Sequence, residues 1–112
     1  MTRFSARPEF QKECKQLGRK YKSLAGDLRV FRGVISHVPL GNGKHFNVIA
    51  QVEGLYIVKA RLFCRYLKGA SLRVVYAYHE RERQIEFMEL YAKGNKAGEN
   101  RERIKAYLKS RA

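Results

Sequence analysis

The sequence predicts an α+β domain, with an N-terminal helical hairpin packed on a mostly antiparallel four-stranded sheet and a short C-terminal helix. Apolar residues recur at helical spacing up to Pro39, and from Phe46 the sequence changes to the alternation typical of strands. The connections between the alternating segments are short, as in an antiparallel meander. A helical layer on one face of such a sheet is the simplest packing for this order of elements.

Two apolar stripes, with spacings of three or four residues, define the hairpin. Pro8 suits the first turn of the first helix, where its missing N–H is not needed. Pro39 ends the second helix, and Lys22–Gly26 is the short link between the two. The stripes are Phe10, Cys14, Leu17 and Tyr21 in the first helix, and Leu24, Leu28, Phe31, Ile35 and Val38 in the second.

Alternating segments with short turns between them follow the hairpin. The predicted strands are Phe46–Val52, Leu55–Tyr66, Leu72–His79 and Gln84–Ala92, and the predicted last helix is Asn100–Arg111, after the polar loop Gly94–Glu99. Leu72, Val74 and Tyr76 share one face of their strand, and we expect the helices to cover it. The opposite face, which carries Arg73, is then at least partly open.

Charge distinguishes this chain from an ordinary small domain. Its 112 residues fit a single domain over residues 1–112, and an apolar content of 45% is enough for a core. The chain has 24 Lys and Arg residues against 10 Asp and Glu, which gives a net charge of +14. Such a charge draws a protein to anions, which include RNA, DNA, an acidic membrane and an acidic protein.

The cysteines and the apolar runs predict a cytoplasmic protein. Cys14 and Cys64 fall in apolar phases and are expected to be buried free thiols in a reducing compartment. Met1–Phe10 lacks the apolar core of a signal peptide, and the longest apolar runs fall short of the ~18 residues of a membrane span. We expect no cofactor and no metal, because the sequence has no Asp/Glu cluster of the kind that holds Mg²⁺.

The candidate site is a cationic sheet face. Successive side chains of a strand point to opposite faces, so Lys59, Arg61 and Arg65 share one face of the second predicted strand. The neighbouring strands add further polar side chains to this face, and the adjoining loops add lysines. The full predicted set is Lys59, Arg61, Arg65, Arg73, His79 and Glu89 as catalytic residues, and Lys44, Lys68, Tyr91, Lys93 and Lys96 as RNA-binding residues.

These residue types suit RNA cleavage. Arginine and lysine hold phosphate oxygens and stabilise the charge that builds on a pentacovalent phosphorane. Tyr91 can stack on a base, and His79 or Glu89 can move a proton. RNA brings its own nucleophile, the 2′-OH, so that such a site needs no metal. Simpler roles stay open: Arg73 as a salt-bridge arginine, His79 as a solvated turn histidine, and Glu89 as the ion-pair partner of Lys59 or Arg73.

The segment YIVKARLFCRYLKGASLRVVYAYHERERQIEFMELYAKG resembles the toxins of the RelE/ParE superfamily from toxin–antitoxin modules. The features that carry the resemblance are the cationic strand, the RVVY strand (Arg73–Tyr76) and the ELYAKGNK segment (Glu89–Lys96), in an order of elements that matches the family over nearly the whole chain. The resemblance implies a RelE-like microbial ribonuclease fold. It also implies a toxin that cuts mRNA in the ribosomal A site, leaving a 2′,3′-cyclic phosphate and a 5′-OH.

By this resemblance, Arg73 is the third-strand arginine that stabilises the transition state. Lys59, Arg61 and Arg65 match the basic residues of the second strand, and Lys93 or Lys96 matches the basic residue after the last strand. Many active members have an arginine and a tyrosine, or a His-Tyr pair, near the C-terminus. This chain has Lys93–Lys96 and then a helix, so the residue that protonates the leaving group is not identified.

Two other functions remain open, namely a ParE-like inhibitor of DNA gyrase and a basic nucleic-acid or ribosome-binding protein without activity. The dense basic set favours the RNA-cleaving toxin over the gyrase inhibitor. The implied partner is an acidic antitoxin, in an assembly that could be a toxin–antitoxin heterotetramer. We expect the antitoxin to wrap the basic face or to displace the helix Asn100–Arg111.

Overall fold

The computed structural model describes residues 2–41, 43–65, 71–94, 96 and 98–111. Within these residues the chain forms five strands and three helices. In chain order the elements are β1 (Arg3–Ala6), α1 (Pro8–Lys20), α2 (Leu24–His37), β2 (Phe46–Val52), β3 (Leu55–Phe63), β4 (Ser71–His79), β5 (Gln84–Ala92) and α3 (Arg101–Arg111).

The sheet has the strand order β1-β5-β4-β3-β2. Strands β2 to β5 form the predicted antiparallel meander. The prediction of four strands is wrong in one respect, because β1 adds a fifth that runs parallel to β5 and pairs Arg3 with Gln84. A strand of four residues is too short to show a periodicity of its own. It forms because β5 supplies backbone partners, and because the ring of Phe4 stacks on Phe87 with a centroid distance of 6.0 Å.

The helical hairpin covers one face of the sheet, as predicted. Pro8 begins α1, and α2 ends at His37, two residues before Pro39. The link between the helices is shorter than predicted, because α2 begins at Leu24. The core on this face contains Phe10, Tyr21, Leu24, Phe31 and Ile35 of the hairpin region, packed with Val58, Ala60, Leu62, Leu72, Val74 and Tyr76 of the sheet.

β3, which was predicted as Leu55–Tyr66, ends earlier than predicted. β3 stops at Phe63, which pairs with Ser71, and Cys64 and Arg65 lie outside the strand. The backbone N–H of Arg65 donates to the carboxylate of Asp27 in α2, at 3.1 Å. Tyr66 and most of the predicted turn Leu67–Ser71 lie outside the described residues.

The opposite face of the sheet is covered in part by α3. Leu55, Ile57, Val75 and Ala77 pack there with Met88, Tyr91, Ile104 and Tyr107. An irregularity in the β4–β5 pairing, between Val75 and Tyr76, turns Met88 to this face, although simple alternation places it opposite Glu89 and Tyr91. The helix begins at Arg101, and the side-chain oxygen of Asn100 caps it by accepting from the backbone N–H of Arg103 at 3.0 Å.

Both cysteines are free, and Cys64 is buried whereas Cys14 is half-buried. Burial, helped by the neighbouring Glu13, raises the pKa of the Cys14 thiol to about 11. Among the described residues, none of the helices has the length and apolar character needed to cross a membrane.

Candidate anion-binding site

Two rows of side chains cross the sheet on the face that α3 covers only in part. In the first row Arg61 of β3 lies directly opposite Arg73 of β4, and Arg73 lies opposite Tyr91 of β5. The backbone N–H of Arg61 also donates to the carbonyl of His45, at 3.0 Å, which extends this row beyond the start of β2. The second row consists of Asn47, Lys59, Val75 and Glu89.

Arg61 and Arg73 of the first row and Lys59 of the second row line a cleft of about 340 Å³. Its walls include four of the predicted cations, and no carboxylate is among the described residues that line it. The lining residues are Lys44, His45, Asn47, Lys59, Ala60, Arg61 and Arg73. A cleft with this lining concentrates positive potential and attracts anions.

The loop before β2 brings Lys44 and His45 to this cleft. Gly41 in that loop has a φ of +79°, a conformation that L side chains rarely adopt. A side chain at Gly41 would also collide with the ring of Phe46. Glycine at this position therefore allows the chain to turn closely over Phe46 and to enter β2 in the register that pairs Asn47 with Lys59.

The arginine pair is the most unusual electrostatic feature of the site. Like charges directly opposite each other on neighbouring strands destabilise a sheet. Arg61 is exposed, whereas Arg73 is half-buried, with its Nη1 3.5 Å from the carbonyl oxygen of Leu72. An anion bound beside both guanidinium groups would be attracted by two positive charges, and arginine is well suited to bind phosphate through two hydrogen bonds at once.

Lys59 is held at the edge of the cleft by Glu99, which lies in the segment before α3. The Lys59 ammonium is 3.0 Å from Oε1 of Glu99, whose side chain is nearly buried. A hydrogen bond from the backbone N–H of Glu99, together with the bond from Lys59, holds the pKa of the Glu99 carboxyl below its ordinary value. Lys59 therefore has a fixed position and a partly neutralised charge, in contrast to Arg61.

Arg65 does not join the cleft, although it was predicted on the same face as Lys59 and Arg61. Its Nε is 3.0 Å from Oδ1 of Asp27, and its backbone N–H bonds Oδ2 of the same carboxylate. Asp27 is buried and also accepts a bond of 2.7 Å from the hydroxyl of Ser23. Burial tends to raise the pKa of Asp27, but the bonds from Ser23 and Arg65 outweigh it and lower that pKa. Arg65 thus connects the end of β3 to α2.

His79 lies far from the cleft. It is six positions from Arg73 along β4, which corresponds to about 20 Å at the rise of a strand. Its Nε2 is 2.7 Å from the hydroxyl of Tyr107 in α3. Because that hydroxyl donates its own proton to Glu86, at 2.7 Å, the Nε2–H of His79 is the donor to Tyr107. The contacts of His79 are those of a residue that holds α3 on the sheet.

Glu89 and Tyr91 are on the predicted face, but both are buried. The Glu89 carboxylate forms an ion pair with Lys96 and accepts a bond of 2.8 Å from the backbone N–H of Asn100. The Lys96 ammonium also lies 4.9 Å from the centre of the Tyr91 ring. Burial raises the pKa of Tyr91, with further contributions from Glu99 and Glu89 that outweigh the opposite effect of Arg73. Neither side chain is placed to contact a ligand in the cleft.

The predicted lysines are distributed in several places. Lys44 lines the cleft, Lys93 is exposed at the end of β5, and Lys96 is bound to Glu89. Lys68 lies outside the described residues. Among the described residues, no three His, Cys, Asp or Glu side chains lie together in a way that could hold a metal.

Sequence reasoning missed His45, Asn47 and Phe63. His45 and Asn47 line the cleft, and the His45 ring meets the Phe63 ring edge-on at a centroid distance of 5.2 Å. For Phe63 the signal was present, because it has the same phase in β3 as Lys59 and Arg61. His45 and Asn47 were not visible from alternation alone, because their position depends on the pairing of β2 with β3.

A comparison with solved structures finds a similar fold. The chain is similar to a chain of the crystal structure of the archaeal RelE–RelB complex from Pyrococcus horikoshii OT3, with a TM-score of 0.64 and 18% sequence identity, over 85% of this chain and 98% of that chain. No protein-family model matches the sequence, and no curated protein matches it. At this level of identity the likeness establishes the fold, and it confirms that this chain has the RelE-type toxin fold expected from its sequence.

Proposed function

We propose that this chain is the toxin of a toxin–antitoxin module and an endoribonuclease that cuts mRNA in the ribosomal A site. The observation that carries the proposal is the opposition of Arg61 and Arg73 on neighbouring strands, at a cleft where the other charged side chains among the described lining residues are also cations. Two arginines in this arrangement favour a bound phosphate over an empty site. The RelE-type fold supports the assignment of that phosphate to RNA.

In the proposed reaction, the 2′-oxygen of one nucleotide attacks the adjacent phosphorus and the bond from phosphorus to the 5′-oxygen breaks. The products are a 2′,3′-cyclic phosphate and a 5′-OH. Arg61 and Arg73 bind the non-bridging oxygens and stabilise the additional negative charge of the phosphorane. His45, the imidazole in the cleft, accepts the proton of the 2′-OH, since histidine is the side chain used most often for proton transfer, and the leaving 5′-oxygen takes its proton from solvent. Lys59 orients the substrate from its fixed position beside Glu99.

The test is expression of the chain without an antitoxin, followed by primer extension on a translated reporter mRNA. We expect cuts within translated codons for the wild type. Arg73→Ala should reduce cleavage by about 100- to 1000-fold, as does the loss of one donor to a transition-state oxyanion in other enzymes. Arg65→Ala is the matched control, because it removes the same charge at a residue that contacts Asp27 outside the cleft. It should leave cleavage within about threefold of wild type.

The outcomes separate the three functions. Cuts that persist in a folded Arg73→Ala variant contradict the site, and equal losses in Arg73→Ala and Arg65→Ala indicate a general effect of charge. Growth arrest with intact mRNA and broken DNA supports gyrase inhibition. Binding to ribosomes without arrest or cleavage supports an inactive basic binding protein.

The proposed partner is an acidic antitoxin. The net charge of +14 supports a partner of opposite charge, and the similar solved structure is that of a RelE–RelB complex. A pull-down from the native host should recover a small acidic protein that suppresses the cleavage. Recovery of no acidic protein contradicts this part of the proposal.

A further inference from the structure

A second cleft, of about 230 Å³, adjoins the cation-lined one, and the two share His45 and Arg61 in their walls. The second cleft lies between α2 and the end of β3, and its lining is mostly apolar. Val30 and Val34 line it from α2, and Phe63 lines it from β3. One side of Arg61 thus faces a cluster of cations, and the other faces an apolar surface.

The apolar cleft is unusually accessible to solvent. Phe63 is 58% exposed, and Val30 and Val34 are 67% and 46% exposed. On a chain with a net charge of +14, these side chains form an apolar surface next to the strongest cationic feature of the sheet. Apolar surface that remains accessible beside polar groups is typical of binding sites.

The Phe63 ring is held in place although it is exposed. The His45 ring meets it edge-on, with an angle of 89° between the ring planes, and the guanidinium carbon of Arg61 lies 5.9 Å from the ring centre. An aromatic ring that is fixed by its neighbours and open to solvent loses little conformational freedom when a flat partner stacks on it. This is the property that a base-stacking platform requires.

We propose that Phe63 and the apolar cleft form a base-stacking subsite, which receives the base of a nucleotide whose phosphate lies between Arg61 and Arg73. A nucleotide combines an anionic phosphate with a flat apolar base. The cation-lined cleft matches the phosphate, and the adjoining apolar cleft matches the base. Tyr91, which the sequence predicts to stack on a base, is buried under α3. In our proposal Phe63 takes this role.

The subsite selects single-stranded RNA within the proposed function, on which it rests. A base inside a duplex is already stacked on both faces and cannot enter the cleft, whereas the bases of single-stranded RNA are accessible to aromatic side chains. Free phosphate and polyphosphate occupy only the cation-lined cleft. The subsite therefore makes binding depend on the presence of a base as well as on charge.

The experiment measures fluorescence anisotropy of a labelled six-nucleotide RNA whose 2′-hydroxyls are methylated, so that binding is observed without cleavage. A second probe has the same backbone but lacks its bases. The variants are Phe63→Ala and Phe63→Tyr, and the matched control is Val48→Ala, which removes another exposed apolar side chain, one that lines neither cleft. Circular dichroism checks that each variant is folded.

We expect Phe63→Ala to weaken binding of the RNA by about 5- to 150-fold, which corresponds to the contribution of one stacked base. The same variant should bind the abasic probe within about twofold of wild type, and Phe63→Tyr should bind the RNA within about threefold, because a tyrosine ring also stacks. Val48→Ala should change neither affinity.

Other results overturn the inference. Unchanged RNA binding by Phe63→Ala contradicts the base-stacking subsite. An equal loss of affinity for both probes shows that Phe63 acts through the cation-lined cleft. If Phe63→Ala weakens binding of the antitoxin and not of the RNA, the apolar cleft is a docking surface for the partner. Arg73→Ala, measured with the abasic probe, separates the two proposals. If this variant binds the abasic probe as wild type does, the phosphate site fails, whatever Phe63→Ala shows.

Discussion

The contact between Asp27 and the end of β3 allows a quantitative prediction for Asp27→Ala. The carboxylate accepts hydrogen bonds from the Ser23 hydroxyl at 2.7 Å and from Arg65 Nε and the Arg65 backbone N–H at 3.0 and 3.1 Å. The Arg65 side chain is 76% exposed, so we assign its ion pair about 0–1 kcal/mol. The other two bonds contribute about 1–1.5 kcal/mol each.

The expected loss in the free energy of unfolding is therefore about 2–4 kcal/mol for Asp27→Ala. In a chain of this size that loss lowers the Tm by roughly 8–16 °C. The assay is urea and thermal unfolding at pH 7, with Glu102→Ala as control, because Glu102 is 87% exposed and only reaches Lys105 at 4.0 Å. The control should stay within about 0.5 kcal/mol of wild type. A loss for Asp27→Ala no larger than that of the control would refute the reasoning.

Asp27 also makes the free energy of unfolding depend on pH. The pKa of Asp27 is lower in the folded protein than its ordinary value, so its contribution is fully present above about pH 4 and is lost as the pH falls through the folded pKa. Asp27→Asn cannot titrate at this position. The difference in unfolding free energy between wild type and Asp27→Asn should therefore shrink from pH 7 to pH 3. A difference that stays constant over this range contradicts the lowered pKa.

Two further predictions concern the sheet and the last helix. Arg61→Gln should raise the unfolding free energy by about 0.2–1 kcal/mol at low salt, because it removes a like charge opposite Arg73. The control is Arg19→Gln, on the exposed side of α1, which should not raise the unfolding free energy. Equal effects of the two substitutions would contradict the argument from the Arg61–Arg73 pair. Glu89→Gln should lower the unfolding free energy by about 1–3 kcal/mol and speed hydrogen exchange in α3, because it removes the negative charge that pairs with Lys96 and strengthens the bond from the Asn100 N–H. Unchanged exchange in α3 would contradict this anchoring role.

The sequence predicted the meander because alternation is visible in β2 to β5 despite the irregularities in the β2–β3 and β4–β5 pairings. It predicted the hairpin because both helices have long apolar stripes. The sequence did not reveal β1, because a strand of four residues can be identified only from its pairing with β5. Pairing between distant segments is a tertiary property, which local periodicity does not contain.

Within the site, alternation identified the face but not the position along it. Arg61 and Arg73 share a phase and also a row, so both reach the cleft. His79 shares their phase but lies at the other end of β4. Arg65 also shares the phase, but β3 ends before it and Asp27 holds its side chain. His45 was missed because its place is set by the pairing of β2 with β3.

The parallel pairing of β1 with β5 joins two strands that are far apart in the sequence. Arg3 lies beside Gln84, so the sheet cannot be completed until β5 has been synthesised. Contacts between such distant segments form late and slow folding. During translation, the Arg61–Arg73 hairpin is therefore made before β1 finds its neighbour, and the nascent protein has its cationic strands paired while one edge of its core is still exposed to chaperones or to a partner.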